Sequence, residues 1–489
     1  MAKHMIKILI PMLIACIIAV PVSAENVDEL QLSIQEAISI VLSNNLGLKL
    51  ERITPDIKKE NITGAESGFD PTVSVSGTHS RLKTDGDPVD MESVENSIEA
   101  GIGKTYPYGT QIAFNMTLKD DSNTTNSSID NDGTAFLTVL SATQPLMKNR
   151  GKDVNESQII IAQNDYKKAE LSFRQTVIDT IAETKKLYWQ LYSATEQLKV
   201  QKKSLLLANK FLAEVEEKVK IGSAAMLEIL EARAEVASRE SLLIRAEYDL
   251  MNSQDNLLSY IYGRLNEPRP VRCTQEPQFE EMVIHTDDLL QKALHLRSDY
   301  QSAEYDIASA KVNTGYLKNQ KKAQLDVVGS IGYNKALSDE DNHPLSYQDY
   351  YTGELALRLQ FPWGFRGDET NYRTSILSLR QSKIHRDTIE SQIRLELRTA
   401  VRSVTSAHKQ FQSAALAAQL AEEKLAAEQE KYKSGLSTSY NVLLYQRDWI
   451  NAMVNRVDAI INYQLAIIFL NKTVGITLEQ NQVIIKDLL

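Results

Sequence analysis

Two long stretches of this chain place an apolar residue at every third or fourth position. In the first, Ala169, Phe173, Val177, Ile181, Thr184, Tyr188 and Leu191 advance by 4, 4, 4, 3, 4 and 3. In the second, Ile389, Ile393, Leu397, Val401, Val404, His408 and Phe411 take the same steps. This spacing predicts one buried stripe per helix, and consecutive fours straighten a heptad supercoil. Thr184 and His408 read as packed polar residues within the stripes. Breakers agree with the periodicity. Neither Gly nor Pro occurs in the 70 residues from Lys152 to Ile221; Gly222 interrupts, and Ser223 to Tyr262 is again free of both. Asp368 to Ser434 repeats the pattern, Gly435 interrupts, and Leu436 to Val474 follows. A run of 70 residues extends ~100 Å as a helix, which implies long coiled-coil hairpins rather than globular helices.

The two hairpins align at an offset of 213, Lys220-Ile221-Gly222 with Lys433-Ser434-Gly435 and Ile229-Leu230 with Val442-Leu443. Glycine suits the left-handed position after a helix, and Ser223 and either Ser437 or Thr438 are expected to cap the next one. Ala37-Ile38 and Ala293-Leu294 each open a helix of roughly 30 residues. A 40-residue and a 30-residue helix stacked end to end would flank each long one.

Other segments alternate with period two. Ile112, Phe114, Met116 and Leu118 interleave with polar residues, as do Leu355, Leu357, Leu359 and Phe361, and Ile98, Ala100 and Ile102. These are strands with one wet face. Thr72–Leu82, Ala135–Thr143 and Leu325–Asn334 are weaker candidates, giving four strands in the first half and two in the second. Tyr106, Tyr108, Tyr347, Tyr350, Tyr351 and Trp363 stand nearby as a candidate aromatic girdle, which favours a membrane barrel over a soluble sheet.

Composition narrows the reading. Of 489 residues 43% are hydrophobic and 24% charged, too apolar for disorder. The formal charge of −10 argues against nucleic acid as a partner. Lys3, His4 and Lys7, the apolar Ile8 to Val20, and Val22-Ser23-Ala24 read as an export signal cleaved after Ala24. The rival is a lipobox at Leu13-Ile14-Ala15-Cys16, which would leave a lipidated Cys16. Cleavage after Ala24 leaves Cys273 alone, so no internal disulfide forms. Beyond the leader no apolar run reaches the ~20 residues of a spanning helix.

These features resemble the TolC family of outer-membrane efflux and secretion channels over essentially the whole mature chain. The marks are Leu32-Ser33-Ile34-Gln35-Glu36-Ala37-Ile38, Pro71-Thr72-Val73-Ser74-Val75-Ser76-Gly77, Gln144-Pro145-Leu146, Ala293-Leu294 with Arg297-Ser298-Asp299, and Lys433 through Leu443. The resemblance implies a mainly helical fold with membrane strands: a homotrimer, one shared barrel in outer-membrane lipid, and a periplasmic helical tunnel. Its tips would meet a periplasmic adaptor and an inner-membrane pump. Ser298 stands where many relatives have Pro. The family's entrance aspartates map onto Asn441 and Leu444, which argues against a strong acidic gate there. Glu228 and Glu231 remain acidic, and with Asn441 they are the candidate constriction.

The expected division is a signal peptide (1–24), N-terminal helices (25–70), a first strand set (71–146), a first hairpin (147–263), a linker and helix (264–322), a second strand set (323–363), a second hairpin (364–475) and a tail (476–489). Ile112, Phe114, Met116, Leu118, Leu355, Leu357 and Leu359 are expected to face lipid. Gly222, Ser223, Gly435, Leu436 and Ser437 form the tips, with small residues that allow an adaptor hairpin to approach. Six strands per copy give about 18 in a trimer. Three acidic segments, Asp85/Asp87/Asp90/Glu92, Asp120/Asp121/Asp130/Asp132 and Asp339/Glu340/Asp341, would form the outer rim; they are either solvated loops or weak divalent-cation sites.

No enzymatic constellation is present in the sequence. There is no HExxH, GxSxG or GxxxxGK, and the seven histidines include no i,i+4 pair. The expectation is a non-enzyme without cofactor or metal. An exported coiled-coil adhesin without a pore is the alternative, and an enzyme on a helical scaffold comes third. The strands discriminate, since an adhesin needs no apolar outer face with aromatic edges.

Overall fold

The computed structural model describes residues 29–84, 91–125, 133–263, 269–280, 285–336, 349–485 and 488. The leader, the lipobox, Tyr347, and most of the acidic rim lie outside these residues; Glu92, Asp120 and Asp121 lie within strands.

The seams fold as their spacing requires. Helix α4 (Ser157–Lys220) has 64 residues and α8 (Arg366–Lys433) has 68. Every member of the first stripe, from Ala169 to Leu191, is buried, and Ile393, Leu397 and Val404 anchor the second. Thr184 turns its hydroxyl to the carbonyl of Thr180 at 2.7 Å, satisfying its polar group inside the seam. His408 stacks on Phe279 with ring centroids 4.5 Å apart. Helix α5 (Met226–Tyr262) returns along α4, and α9 (Ser439–Val474) returns along α8.

The shorter helices differ from the expected single 30-residue elements. The first is split into α1 (Ile34–Asn44) and α2 (Leu46–Glu66), the second into α6 (Thr286–Leu296) and α7 (Ser298–Gln320). Each break is one extended residue, Asn45 or Arg297. Asn45 accepts the Leu48 amide and donates its side-chain N–H to the Tyr260 carbonyl at 3.0 Å. Arg297 holds Asp299 and Glu396. These polar anchors hold the chain where it turns, without a Gly or Pro. Helices α2 and α7 lie along α4 and α8 beyond the ends of α5 and α9, and α4 also packs on α7 and α9. The wall therefore runs α2/α5, α4, α7/α9, α8. A four-residue helix α3 (Lys152–Asn155) precedes α4, and α10 (Thr477–Gln480) follows α9.

The repeats meet in a core drawn from α1, α2, α4, α8 and α9, including Ile38, Phe173, Tyr188, Leu397 and Tyr463. Beside it β1 (Leu30–Leu32) pairs in parallel with β6 (Val271–Cys273), an element the alternation did not reveal. Tyr188 donates to the Leu32 carbonyl and accepts the Gln275 amide. Burial pushes the Cys273 thiol up to about 12, which removes its reactivity. Helix α9 is long and apolar enough by composition to cross a membrane, although it has no unbroken apolar run of ~20 residues. Ile460, Ile461, Tyr463, Ala466, Leu470 and Val474 contribute to that composition and fill this core.

Strands β2 (Thr72–Thr84), β3 (Met91–Thr105), β4 (Gln111–Thr125), β5 (Gly133–Pro145), β7 (Gln324–Ala336) and β8 (Tyr350–Gln360) form one antiparallel sheet in that order. Residues 94–119 are thus part of the wall.

Candidate channel wall and hairpin tips

Strand register converts six local alternations into two continuous faces. Ile112 pairs with Ala142, which pairs with Gly329, which pairs with Leu355. Phe114 stands between Ile102 and Leu140, and Leu118 between Ile98 and Phe136. Val73 joins beside Ile102, and Leu357 and Leu359 pair with Val327 and Leu325. Because neighbours opposite one another point to the same side, all seven residues expected to face lipid share one apolar face with these partners. Leu355 is 83% exposed against 39% for Ile112, since β8 ends the sheet with no neighbour beyond it.

The opposite face carries Ser74, Ser76, Glu99, Asn115, Thr117, Lys119, Ser141, Ser330, Glu354 and Arg358. Lys119 bridges Asp121 at 3.0 Å and Glu95 at 3.5 Å. Aromatics mark both ends of the strands: Tyr106, Tyr108 and a 96% exposed Trp363 near the helices, Tyr350 and Tyr351 at the far end. The apolar face is interrupted by Gly77 and His79 on β2, by Thr134 and Thr138 on β5 and by Gly329 on β7, so sequence alternation left its members unassigned.

At the far end of the helices both tips close by the same hydrogen bonds. Gly222 (φ +76°) donates to the Val219 carbonyl and Ser223 to that of Lys218; Gly435 (φ +75°) donates to Tyr432 and Leu436 to Lys431. This paired closure needs a left-handed residue, hence glycine. Ser223 does not cap α5: its hydroxyl returns to the Lys218 carbonyl at 3.0 Å, because the closure turns it toward α4. Ala225 stands at the start of α5 instead, its amide 3.5 Å from the Glu228 carboxylate. Thr438, rather than Ser437, caps α9 by accepting the Asn441 amide. Ser437 donates to Glu428, and this bond holds the Glu428 carboxyl below the usual glutamate range.

The two tips of one copy pack together through Phe211, Val215, Ile229, Tyr432, Val442 and Leu443. Lys218 reaches across to the Tyr432 carbonyl at 2.8 Å. Burial, with the Glu228 and Glu214 carboxylates nearby, pushes the Tyr432 hydroxyl up to about 12. Glu228 and Asn441 are half-buried beside this cluster, whereas Glu231 is exposed. A cleft of about 450 Å³ lies between Glu214, Lys218, Ile221 and Lys433. Leu436 is 80% exposed, and Ile221, Met226, Leu227 and Tyr440 on the two tips are also exposed. Among the described residues no His, Cys, Asp and Glu side chains cluster as a metal site would require.

Comparisons with known proteins agree with this geometry. The family model described as outer membrane efflux protein matches residues 37–261, just under half of the chain. A search of curated proteins finds no match. Among solved structures, the Campylobacter jejuni CmeC outer membrane channel is similar with a TM-score of 0.66 and 17% identity over 90% of this chain and 85% of that one. The Vibrio cholerae outer membrane protein VceC has a TM-score of 0.64 at 16% identity, covering 90% and 96%. The open Neisseria gonorrhoeae MtrE outer membrane channel has 0.64 at 16%, covering 90% and 88%. At these identities the structures establish the fold. The family match covers most of the first repeat, and these solved channels share the fold over 90% of the chain.

Proposed function

We propose that three copies of this chain close a passive exit duct, with about 18 strands in the outer membrane and a helical tunnel in the periplasm. The observation that carries this reading is the sheet itself: one apolar face, one polar face and two unpaired edges, β2 and β8. Six antiparallel strands leave these edges running in opposite directions, so β8 of one copy can pair with β2 of the next in the same antiparallel sense. Such a head-to-tail contact must close into a ring or extend without limit, and a ring abolishes both edges.

Energy for transport would come from an inner-membrane pump, coupled through a periplasmic adaptor docking at Gly222-Ser223 and Gly435-Leu436-Ser437. Two similar tips per copy offer six docking positions in a trimer. Glu228 and Asn441, beside the tip cluster, would line the constriction. The lipid face comprises Ile112, Phe114, Met116, Leu118, Leu355, Leu357 and Leu359. Native mass and single-channel recording on the purified protein test the reading together. A trimer conducting discrete currents in planar bilayers is expected; a monomeric protein without conductance would overturn it.

A further inference from the structure

The two edges of the helical wall match one another in pattern. On α8, Leu377, Ile384, Leu395, Leu416 and Leu420 are each more than half exposed. By helical spacing they lie opposite the buried stripe of Ile393, Leu397, Ala400, Val404 and Ala407. This outward stripe is interrupted midway by Arg398, Arg402 and Lys409. The segment from Leu397 to Ala421 contains no acidic residue, and among the described residues none of the three cations has a hydrogen-bond or ion-pair partner.

The other edge reads as the complement. Helix α2 exposes Leu46, Leu50, Ile53 and Ile57, and α5 exposes Ile244, Tyr248 and Met251. The next position of the α5 stripe is Asp255, which also has no partner among the described residues. Height along the wall aligns the two edges. Asp255 is 29 residues from the start of α5 at the tip, and Arg402 is 31 from the tip end of α8; both lie ~45 Å from the tip at 1.5 Å per residue. From the membrane end, Leu50 is 16 residues below the top of α2 and Ile384 is 18 below that of α8. The levels agree to within two residues at both ends.

We infer that α8 of one copy lies against α2 and α5 of the next, with Arg402, flanked by Arg398 and Lys409, meeting Asp255 as a charge key that fixes their vertical register. Apolar stripes alone tolerate a slip of one helical turn, since leucine meets leucine again; a charge at one level does not. The key rests on the head-to-tail trimer proposed above and specifies its seam.

The test uses the full-length protein carrying Cys273→Ala. Asp255→Cys with Arg402→Cys is expected to give disulfide-linked dimers and trimers on oxidation, and neither single cysteine should. In a separate series, Asp255→Arg should weaken trimer association about tenfold at low salt, with the effect shrinking as salt rises. Adding Arg402→Asp should restore association by exchanging the charges. A trimer by native mass that links at Tyr248→Cys with Arg402→Cys, but not at Asp255→Cys, would overturn the register and leave the trimer standing. Failure of the exchange to rescue would overturn the key. Absence of any trimer from the parent protein would overturn the underlying assembly instead.

Discussion

Gly435 and Gly475 share a left-handed backbone, yet a side chain would meet different surroundings at each. A Cβ at Gly435 has nothing within 4 Å, whereas one at Gly475 lies 3.1 Å from the Cβ of Leu296. Gly435→Leu therefore costs only backbone strain, ~1–2 kcal/mol. Its trimer mass and melting temperature should stay near the parent's while export in cells is lost, because the tip no longer admits an adaptor. Full export would exclude the tip as the docking surface. Gly475→Leu adds a collision with the end of α6 and should lower the melting temperature clearly. Glu428 supplies a pH-dependent contact at the same tip. Its carboxyl is lowered first by the Ser437 hydroxyl, so the stabilisation is present above the ordinary glutamate range and is lost as pH falls through the lowered value. Protection factors of the amides at residues 434–438, taken relative to intrinsic exchange at each pH, should fall on acidification, and Glu428→Gln should remove that dependence. The sequence shows both glycines as breaks in helical runs. It does not show which is crowded, because Leu296 arrives from 179 positions away.

Strand β4 allows the two faces of the sheet to be tested on adjacent residues. Phe114 stands on the apolar face and Asn115 on the polar one. Phe114→Arg should destabilise the inserted protein by ~2–4 kcal/mol if it lies near the membrane midplane. Asn115→Arg should leave assembly intact and change conductance. Urea unfolding in vesicles reads the first and bilayer recording the second. Strands β4 and β8 were legible because large apolar residues occupy every second position. Strands β2 and β5 were fainter because Gly77, His79 and Arg81 on one and Thr134 and Thr138 on the other take apolar-face positions, and only pairing with β3 and β4 shows which way each residue points. The long helices were legible from their breakers. The splits at Asn45 and Arg297 were not, since neither residue is a helix breaker and each is held by a distant partner, Tyr260 or Glu396. Asn45→Ala, which removes a cap and that link, should cost ~1 kcal/mol, measurable by denaturant unfolding. Three-residue strands such as β1 and β6 are too short for any alternation to announce them.

The duplicated plan of the chain was legible because both halves carry the same breakers at a fixed offset, and its consequence is a wall with complementary edges. What the sequence left open was which residues of the fainter strands share a face with those of β4 and β8. Pairing resolves this: among the described residues the polar face carries five carboxylates, Glu95, Glu99, Asp121, Asp326 and Glu354, against two cations, Lys119 and Arg358. A trimer would therefore line its barrel with an excess of three negative charges from each copy, at the outer exit and remote from the tip constriction. Fixed charge on a pore wall enriches counter-ions wherever the lumen is not much wider than the Debye length, which is about 10 Å at 0.1 M salt. A barrel of about 18 strands is wider than that, so the preference should be modest and should fade with salt. Reversal potentials across a potassium chloride gradient are expected to favour potassium at 0.1 M and to approach no preference at 1 M. Glu99→Lys with Glu354→Lys moves the wall from −3 to +1 per copy and should turn the preference toward chloride without altering trimer mass. If the double variant keeps the parent's cation preference, selectivity is set at the helical tips by groups such as Glu228, and the barrel is electrically passive.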